Sequence, residues 1–276
     1  MPELPEVETT ARGLRARIVG LRVRWVGGVD WPPMLPNATE ADLARALVGR
    51  AVAGVDRRGK YLLLDFEGDR TLAIHRKMSG NVLLRPAGSA REPHTHLEIA
   101  FSDATVLRLV DPRKFGRVYL FLSGAELAAF LHARLGPEPF VGADVLAGRL
   151  RGRRGRIKSL LLDQSFLAGV GNLYADEALW EARIHPLRAA DSLSEAEIGR
   201  LALAIQQVLS AGIERRGTSF SSYLDADGSP GENQEYLRVY GRFDQPCPRC
   251  GSPIRRLLIG QRTSHFCAVC QAASSF

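Results

Sequence analysis

Met1-Pro2-Glu3-Leu4-Pro5-Glu6-Val7-Glu8 opens the chain, and the apolar positions that continue from it, Val7, Ala11, Leu14 and Ile18, recur on one helical face. Pro5 suits the first turn of that helix, where its missing N–H costs nothing. The spacing predicts a buried helix that holds the chain terminus in place instead of leaving it frayed. Residue two is a proline, small enough for the initiator Met to be trimmed, which would leave Pro2 with a free secondary amine. An α-amino group titrates near a pKa of roughly 8 and a lysine near about 10.4, so a terminal amine offers more of the nucleophilic form. Attack by such an amine on a carbon at the aldehyde oxidation level gives an iminium. Glu3 is placed beside it to move protons. The plainer meaning of Glu3 and Glu6 is that acidic residues favour a helix N-terminus.

Working outward, the chain to about residue 130 reads as short strands. Lys60–Phe66 is bounded by Gly59 and Gly68; Thr71–His75, Val106–Val110 and Val118–Leu122 follow the same pattern. Leu97, Ile99 and Phe101 alternate with polar residues, as in a half-buried strand. Many short strands with Gly-rich turns predict a sandwich or flattened barrel. Leu135-Gly136-Pro137-Glu138-Pro139 reads as a linker, and the chain beyond it as helical. Ser194 with Glu197 predicts a capping box, ahead of a core-facing helix through Ile198, Leu201, Ile205, Val208 and Leu209. Thr218–Asn233 is polar and Gly-rich, the composition of a mobile loop that closes over a substrate.

The formal charge of +7 favours a polyanionic partner, and 45% hydrophobic content suffices for packed cores. No apolar run of about eighteen residues exists and the N-terminus lacks a signal-peptide pattern, so a soluble, cytoplasmic protein is expected. Arg149, Arg151, Arg153, Arg154, Arg156 and Lys158 form a basic stretch with no acidic residue before Asp163, readable as a solvated face or as phosphate contacts. Gly169-Val170-Gly171-Asn172 then predicts a tight turn, with Asn172 able to cap the next helix and backbone N–H groups open to an anion.

All four cysteines lie in the last thirty residues, Cys247 and Cys250 separated by sixteen residues from Cys267 and Cys270. Two C-x-x-C knuckles at that interval fit a four-thiolate tetrahedral zinc site, structural because no coordination position stays open. Disulfides are the alternative. Between the knuckles, Ile254–Ile259 and Thr263–Phe266 can pair as a hairpin turning at Gly260-Gln261-Arg262.

PELPEVE at the terminus, RRGKYL at 57–62, DPRKFGR at 111–117, GVGNLYADE at 169–177 and the closing CPRCG…GQR…FCAVCQ together resemble bacterial formamidopyrimidine-DNA glycosylase, over essentially the whole chain and in order. The resemblance implies an α+β chain: an N-terminal β-sandwich domain with its opening helix (1–134), a helix-two-turn-helix domain (140–233) and a zinc-finger hairpin (234–276), with DNA in the cleft. It implies a monomeric bacterial repair enzyme acting on double-stranded DNA with oxidised purines, nicking the strand by β,δ-elimination with one structural zinc. Pro2 would be the nucleophile and Glu3 the acid/base group, with Lys60 a proton donor in β-elimination. Arg262 matches the donor assigned to δ-elimination, but a group with a pKa above about 12 is a poor acid and better suits a phosphate clamp. His94, Arg113, Arg153 and Asn172 fall at DNA-contact positions. Met78, Arg113 and Phe115 resemble the side chains that fill the space left by an extruded base, and the loop with Thr218, Ser219 and Tyr223 the one that closes over that base.

The family pattern His-Leu-Gly-Met-Ser-Gly reads His75-Arg76-Lys77-Met78-Ser79-Gly80 here. Two cations replace an apolar residue and a glycine, which implies either a reshaped wedge loop or added phosphate contacts. The tail Ala272–Phe276 runs past the point where the family often stops. An endonuclease VIII-like enzyme for oxidised pyrimidines typically opens Pro-Glu-Gly-Pro-Glu, so Leu4 argues against it, as does DPRKFGR. A non-catalytic zinc-dependent binder of damaged DNA would have no use for a trimmed Pro2 beside Glu3.

Overall fold

The computed structural model describes residues 2–220 and 222–272; Met1, Ser221 and most of the tail lie outside the described residues. The chain packs as two units, Met1–Ala133 with Gly212–Gln234, and Arg134–Ala211 with Glu235–Phe276.

In the first unit, α1 (Leu4–Ile18) buries Leu4, Val7, Ala11, Leu14 and Ile18, each at most 1% exposed. Each larger apolar side chain so covered is worth about 1.5–3 kcal/mol relative to exposure, which fixes the helix more firmly than its own propensity does. The chain continues through β1 (Val23–Gly27), α2 (Glu40–Leu47), β2 (Val52–Arg58), β3 (Tyr61–Phe66), β4 (Arg70–His75), β5 (Asn81–Pro86), β6 (Thr95–Phe101), β7 (Thr105–Val110), β8 (Arg117–Phe121) and α3 (Gly124–His132). The strands form two four-stranded antiparallel sheets, ordered β1-β6-β7-β5 and β2-β3-β4-β8. Leu62, Leu64, Leu72 and Ile74 of one sheet and Leu84, Leu97, Ile99, Leu107 and Leu109 of the other join the α1 face in one core, as a β-sandwich requires.

The β3 strand begins at Tyr61, because Arg58 pairs with Tyr61 and leaves Gly59-Lys60 as the hairpin loop, so Lys60 lies outside the strand expected to include it. The capping box of α2, Thr39 with Asp42, has a sequence signature that the pattern reading passed over.

In the second unit, α4 (Ala143–Leu150), α5 (Ile157–Leu162) and α6 (Asn172–Glu181) precede α7 (Glu195–Glu214), whose capping box joins the Ser194 N–H to Glu197 Oε2 at 2.8 Å and the Glu197 N–H to Ser194 Oγ at 3.3 Å. The linker motif is pinned, not free: the Gly136 N–H donates to Gln164 O at 2.8 Å, and a Cβ at Gly136 would lie 2.4 Å from Ser165 O. Strands β9 (Arg255–Ile259) and β10 (Arg262–Phe266) form the closing hairpin.

Leu14→Ala, which empties a fully buried position on α1, is expected to cost about 2–5 kcal/mol in urea unfolding. A loss below about 1 kcal/mol would contradict the packing of that helix.

Candidate functional site

Pro2 is buried at the head of α1, and Glu3, its N-cap residue, is 4% exposed. The Glu6 side chain, 3% exposed, divides its two oxygens between distant segments. Oε2 accepts the Glu3 N–H at 2.7 Å and Oε1 accepts the Thr218 N–H at 2.8 Å. One carboxylate thus ties the chain terminus to the loop expected to close over substrate. Gly217 sits at φ +82°, where glycine meets no penalty, and a Cβ there would come 2.9 Å from Glu6 Cγ.

That loop is held by many bonds, which differs from the sparse contacts its composition suggested. Asn233 Nδ2 donates to Thr218 Oγ1 at 2.9 Å; Ser219 Oγ donates to Tyr223 O at 2.8 Å and accepts the Gly231 N–H at 2.9 Å. Burial holds the Tyr223 phenol above its usual range, so its hydroxyl remains a donor, reaching Glu6 O at 3.4 Å.

The Met78 turn places the two cations of the family departure differently. Lys77 adopts φ +54°, the left-handed conformation that favours glycine, at the position where the family pattern has one. Burial, with the Lys77 and Lys60 cations, pushes His75 down to about 3. Its neutral Nδ1 accepts the Lys77 N–H at 3.0 Å and steadies the turn. Arg76 is 1% exposed, and its guanidinium points inward to α1 and to the loop of Thr218. Met78 is 38% exposed.

Asp111, 2% exposed, organises the turn that carries Arg113 and Phe115. Its carboxylate accepts the Ser79 hydroxyl from the Met78 turn, the Arg113 N–H at 3.3 Å and the Gly116 N–H at 2.7 Å. Phe115 is 42% exposed, with the exposed Arg113 guanidinium 4.7 Å from its ring centroid. His94, exposed and at φ +64°, joins the same cluster through its carbonyl, which accepts the Asp111 N–H at 2.9 Å. Met78, Arg113 and Phe115 are therefore presented by turns that share the buried Asp111 carboxylate, and His94 is tied to the same residue through the Asp111 backbone N–H.

In the second unit the basic stretch divides. Arg151, Arg153, Arg154 and Arg156 are exposed, but Arg149 donates to Phe166 O and Ser165 O, and Lys158 is wholly buried. Lys158 Nζ pairs with Asp176 Oδ1 at 2.5 Å and donates to Ser264 Oγ at 2.6 Å, which removes it from the expected phosphate contacts. The cap of α6 is Gly171, and Asn172 is the first helical residue. Asn172 Nδ2 instead donates to Thr263 O at 3.0 Å, beside Arg262. Gly260 and Gln261, both at positive φ, form a two-residue turn of the I′ kind, so the exposed Arg262 flanks the turn as the first residue of β10. Asp176 and Glu177 complete this frame: Asp176 Oδ2 accepts the His265 N–H at 2.9 Å, and Glu177 accepts three successive N–H groups from Arg238, Val239 and Tyr240.

The sulfurs of Cys247, Cys250, Cys267 and Cys270 lie within 4.8 Å of one another, with Cys247–Cys270 at 3.9 Å and Cys250–Cys267 at 3.5 Å. Tetrahedral zinc with Zn–S of about 2.3 Å spaces its sulfurs about 3.8 Å apart. A disulfide needs about 2.05 Å, so the alternative pairing is excluded. Cys247 and Cys267 pack with Trp180, Val239 and Ile254.

Three family models match the chain in order: the formamidopyrimidine-DNA glycosylase N-terminal domain over residues 1–118, its H2TH domain over 135–223, and the zinc finger found in FPG and IleRS over 244–273. The formamidopyrimidine-DNA glycosylase of Herpetosiphon aurantiacus is 46% identical over 275 residues, covering 99% of this chain and 100% of that protein. The chain belongs to the formamidopyrimidine-DNA glycosylase family. The enzyme of the same name from Chloroflexus aurantiacus is 44% identical, with 98% of each chain covered. Among solved structures, a mutant Lactococcus lactis FPG in complex with Fapy-dG-containing DNA matches with a TM-score of 0.92 at 37% identity, covering 99% of this chain and 100% of that one. MutM in complex with DNA containing carbocyclic 8-oxo-G matches with a TM-score of 0.90 at 37% identity, with the same coverage.

Membership of the formamidopyrimidine-DNA glycosylase family makes the chain a DNA glycosylase, and the family's zinc finger spans all four cysteines, which hold one structural zinc. No helix among the described residues is long and apolar enough to cross a membrane. Sequence reasoning missed four residues that organise loops of this chain, Asp111, Asp176, Glu177 and Asn81, whose amide bonds Ser222 O and the Leu224 N–H; the only signal was their place inside or beside the quoted motifs.

Cys250→Ser is expected to lower zinc from about one equivalent to near zero and to unfold the closing hairpin, because the metal supplies folding energy. Full zinc retention, measured by metal analysis of the purified variant, would contradict the four-thiolate site.

Proposed function

We propose that this chain is a bifunctional DNA glycosylase and AP lyase that removes oxidised purines, 8-oxoguanine and formamidopyrimidines, from duplex DNA and nicks the strand. The observation that carries the reading is the Glu6 carboxylate: it joins the buried Pro2-Glu3 terminus to the Thr218 loop within one packed unit. A nucleophile and a base-covering loop need such mutual registration. The complexes of related proteins with Fapy-dG and 8-oxo-G DNA point to the same substrates.

In this reading, removal of Met1 frees the Pro2 amine. Its lone pair attacks C1′ of the damaged nucleotide, the glycosidic bond breaks, and the base leaves with the bonding electrons. Glu3 supplies the proton that accompanies base loss and opening of the sugar ring. The resulting iminium acidifies C2′; a C2′ proton passes to the Glu3 carboxylate left by the previous step, the C2′–C3′ double bond forms, and the 3′ phosphate leaves with Lys60 as proton donor. A second elimination expels the 5′ phosphate, which Arg262 steadies as a clamp.

His94, Arg113, Arg153 and Asn172 hold the backbone, and positive charge there makes binding fall with salt. Met78, Arg113 and Phe115 occupy the space vacated by the extruded base, and Thr218, Ser219 and Tyr223 cover it in its pocket. The functional parts depart from the sequence divisions at one place: 1–134 carries the chemistry together with the returning segment Gly212–Gln234, which packs in the same unit, while the rest of 140–233 meets the DNA backbone and 234–276 forms the finger. The protein acts as a monomer in the bacterial cytoplasm, where its DNA lies.

Pro2→Gly, which leaves a mobile primary amine in place of the ring-held secondary amine, is expected to slow single-turnover excision of 8-oxoguanine by at least about 100-fold, the scale of misplacing a reacting group, with duplex binding kept within about threefold. Normal excision by that variant would overturn the assignment of Pro2.

A further inference from the structure

We propose that Arg76 is a positioning residue for the recognition loop, and that it makes base excision, but not nicking at a site already lacking its base, depend on a buried guanidinium. The inference rests on the functional reading above and extends it to a residue where the chain departs from its family's pattern.

A guanidinium has five N–H donors and no acceptor. All five are matched here. Nε donates to Gly80 O at 2.8 Å; Nη1 to Thr10 Oγ1 at 2.7 Å and Glu6 O at 3.4 Å; Nη2 to Asn81 Oδ1 at 2.7 Å and Leu224 O at 3.2 Å. The Tyr223 ring lies 5.0 Å from the guanidinium carbon. The partners belong to α1, the Met78 turn, β5 and the recognition loop, so one side chain fixes all four segments.

Asn81 extends the clamp. Its Nδ2 donates to Ser222 O at 2.6 Å, and its Oδ1 accepts the Leu224 N–H at 3.0 Å beside the Arg76 contact. Because Arg76 can only donate, it holds the Asn81 amide with its oxygen toward Leu224. Without the guanidinium the amide is free to flip, and a flip sets donor against donor at Leu224 and acceptor against acceptor at Ser222.

Burying a cation is costly, and a leucine of similar volume would avoid that cost. What the arginine adds is directional: a loop backbone set before any base arrives, which lowers the ordering cost of capture. Excision requires the loop to settle on the extruded base. Nicking at an abasic site uses the terminal amine with no base to cover.

The test compares full-length wild type and Arg76→Leu on two duplexes, one carrying a single 8-oxoguanine and one an abasic site, with amide exchange followed across residues 218–225. Arg76→Leu is expected to lower the excision kcat about tenfold, leave abasic nicking within about twofold, and speed exchange at Leu224 at least tenfold. Should Arg76→Leu fail to fold, Asn81→Ala cuts the same clamp at its loop end and is expected to give the same split. Equal loss of both activities, or unchanged excision with unchanged exchange, overturns the proposal. If the wild type neither excises nor nicks, the functional reading fails instead, and the exchange result alone then decides whether Arg76 orders the loop.

Discussion

The bridge made by Glu6 is the constraint on which the first unit depends. A chain terminus is ordinarily the least ordered part of a domain, yet here Pro2 is buried and Glu3 caps a helix whose whole inner face lies in the core. Terminal order of that kind has two sources. Leu4, Val7, Ala11, Leu14 and Ile18 anchor α1 through apolar contact, and Glu6 converts that anchoring into position by accepting N–H groups from Glu3 and Thr218. The same helix meets the recognition loop again through Thr10 and the Glu6 carbonyl, by way of Arg76 and Tyr223. Rigid apolar packing sets the helix, and polar contacts with fixed geometry then register two loops against it.

The second unit uses buried carboxylates in a comparable way. Asp176 gathers Lys158 and the His265 N–H, and Glu177 gathers three N–H groups from the segment leading into the finger. Burial pushes the Glu177 carboxyl up, against the three donors that favour its ionised form. Asn172 and the four thiols complete a frame in which Arg262 leaves the hairpin turn toward solvent. Zinc is needed there because β9 and β10 alone bury little: among their side chains only Ile259, Ser264 and Phe266 are buried.

Much of this was legible before the fold. The helical period of Val7 to Ile18, the alternation of Leu97, Ile99 and Phe101, and the knuckle spacing each have one dominant physical meaning, and each element formed. Less legible were elements with weak periods. In β1 the pattern Val23-Arg24-Trp25-Val26 lacks alternation because the register shifts between Val23 and Trp25. The roles of charged residues were least legible of all. Arg76 and Lys158 look like surface cations in a basic chain, and nothing local distinguishes them from Arg153; only long-range partners, Thr10 and Leu224 for one and Ser264 for the other, draw them inside. Lys77 shows the converse, a non-glycine residue at positive φ whose N–H is accepted by the neutral His75 ring.

In the proposed reaction the terminal amine of Pro2 does the chemistry. The most direct measurement of that role is borohydride reduction of the protein mixed with a duplex holding one 8-oxoguanine opposite cytosine, followed by peptide mapping of the cross-linked product. A reduced covalent adduct on the peptide that begins at Pro2 is expected. An adduct carried by a lysine side chain, or none while the duplex still binds tightly, would contradict that role.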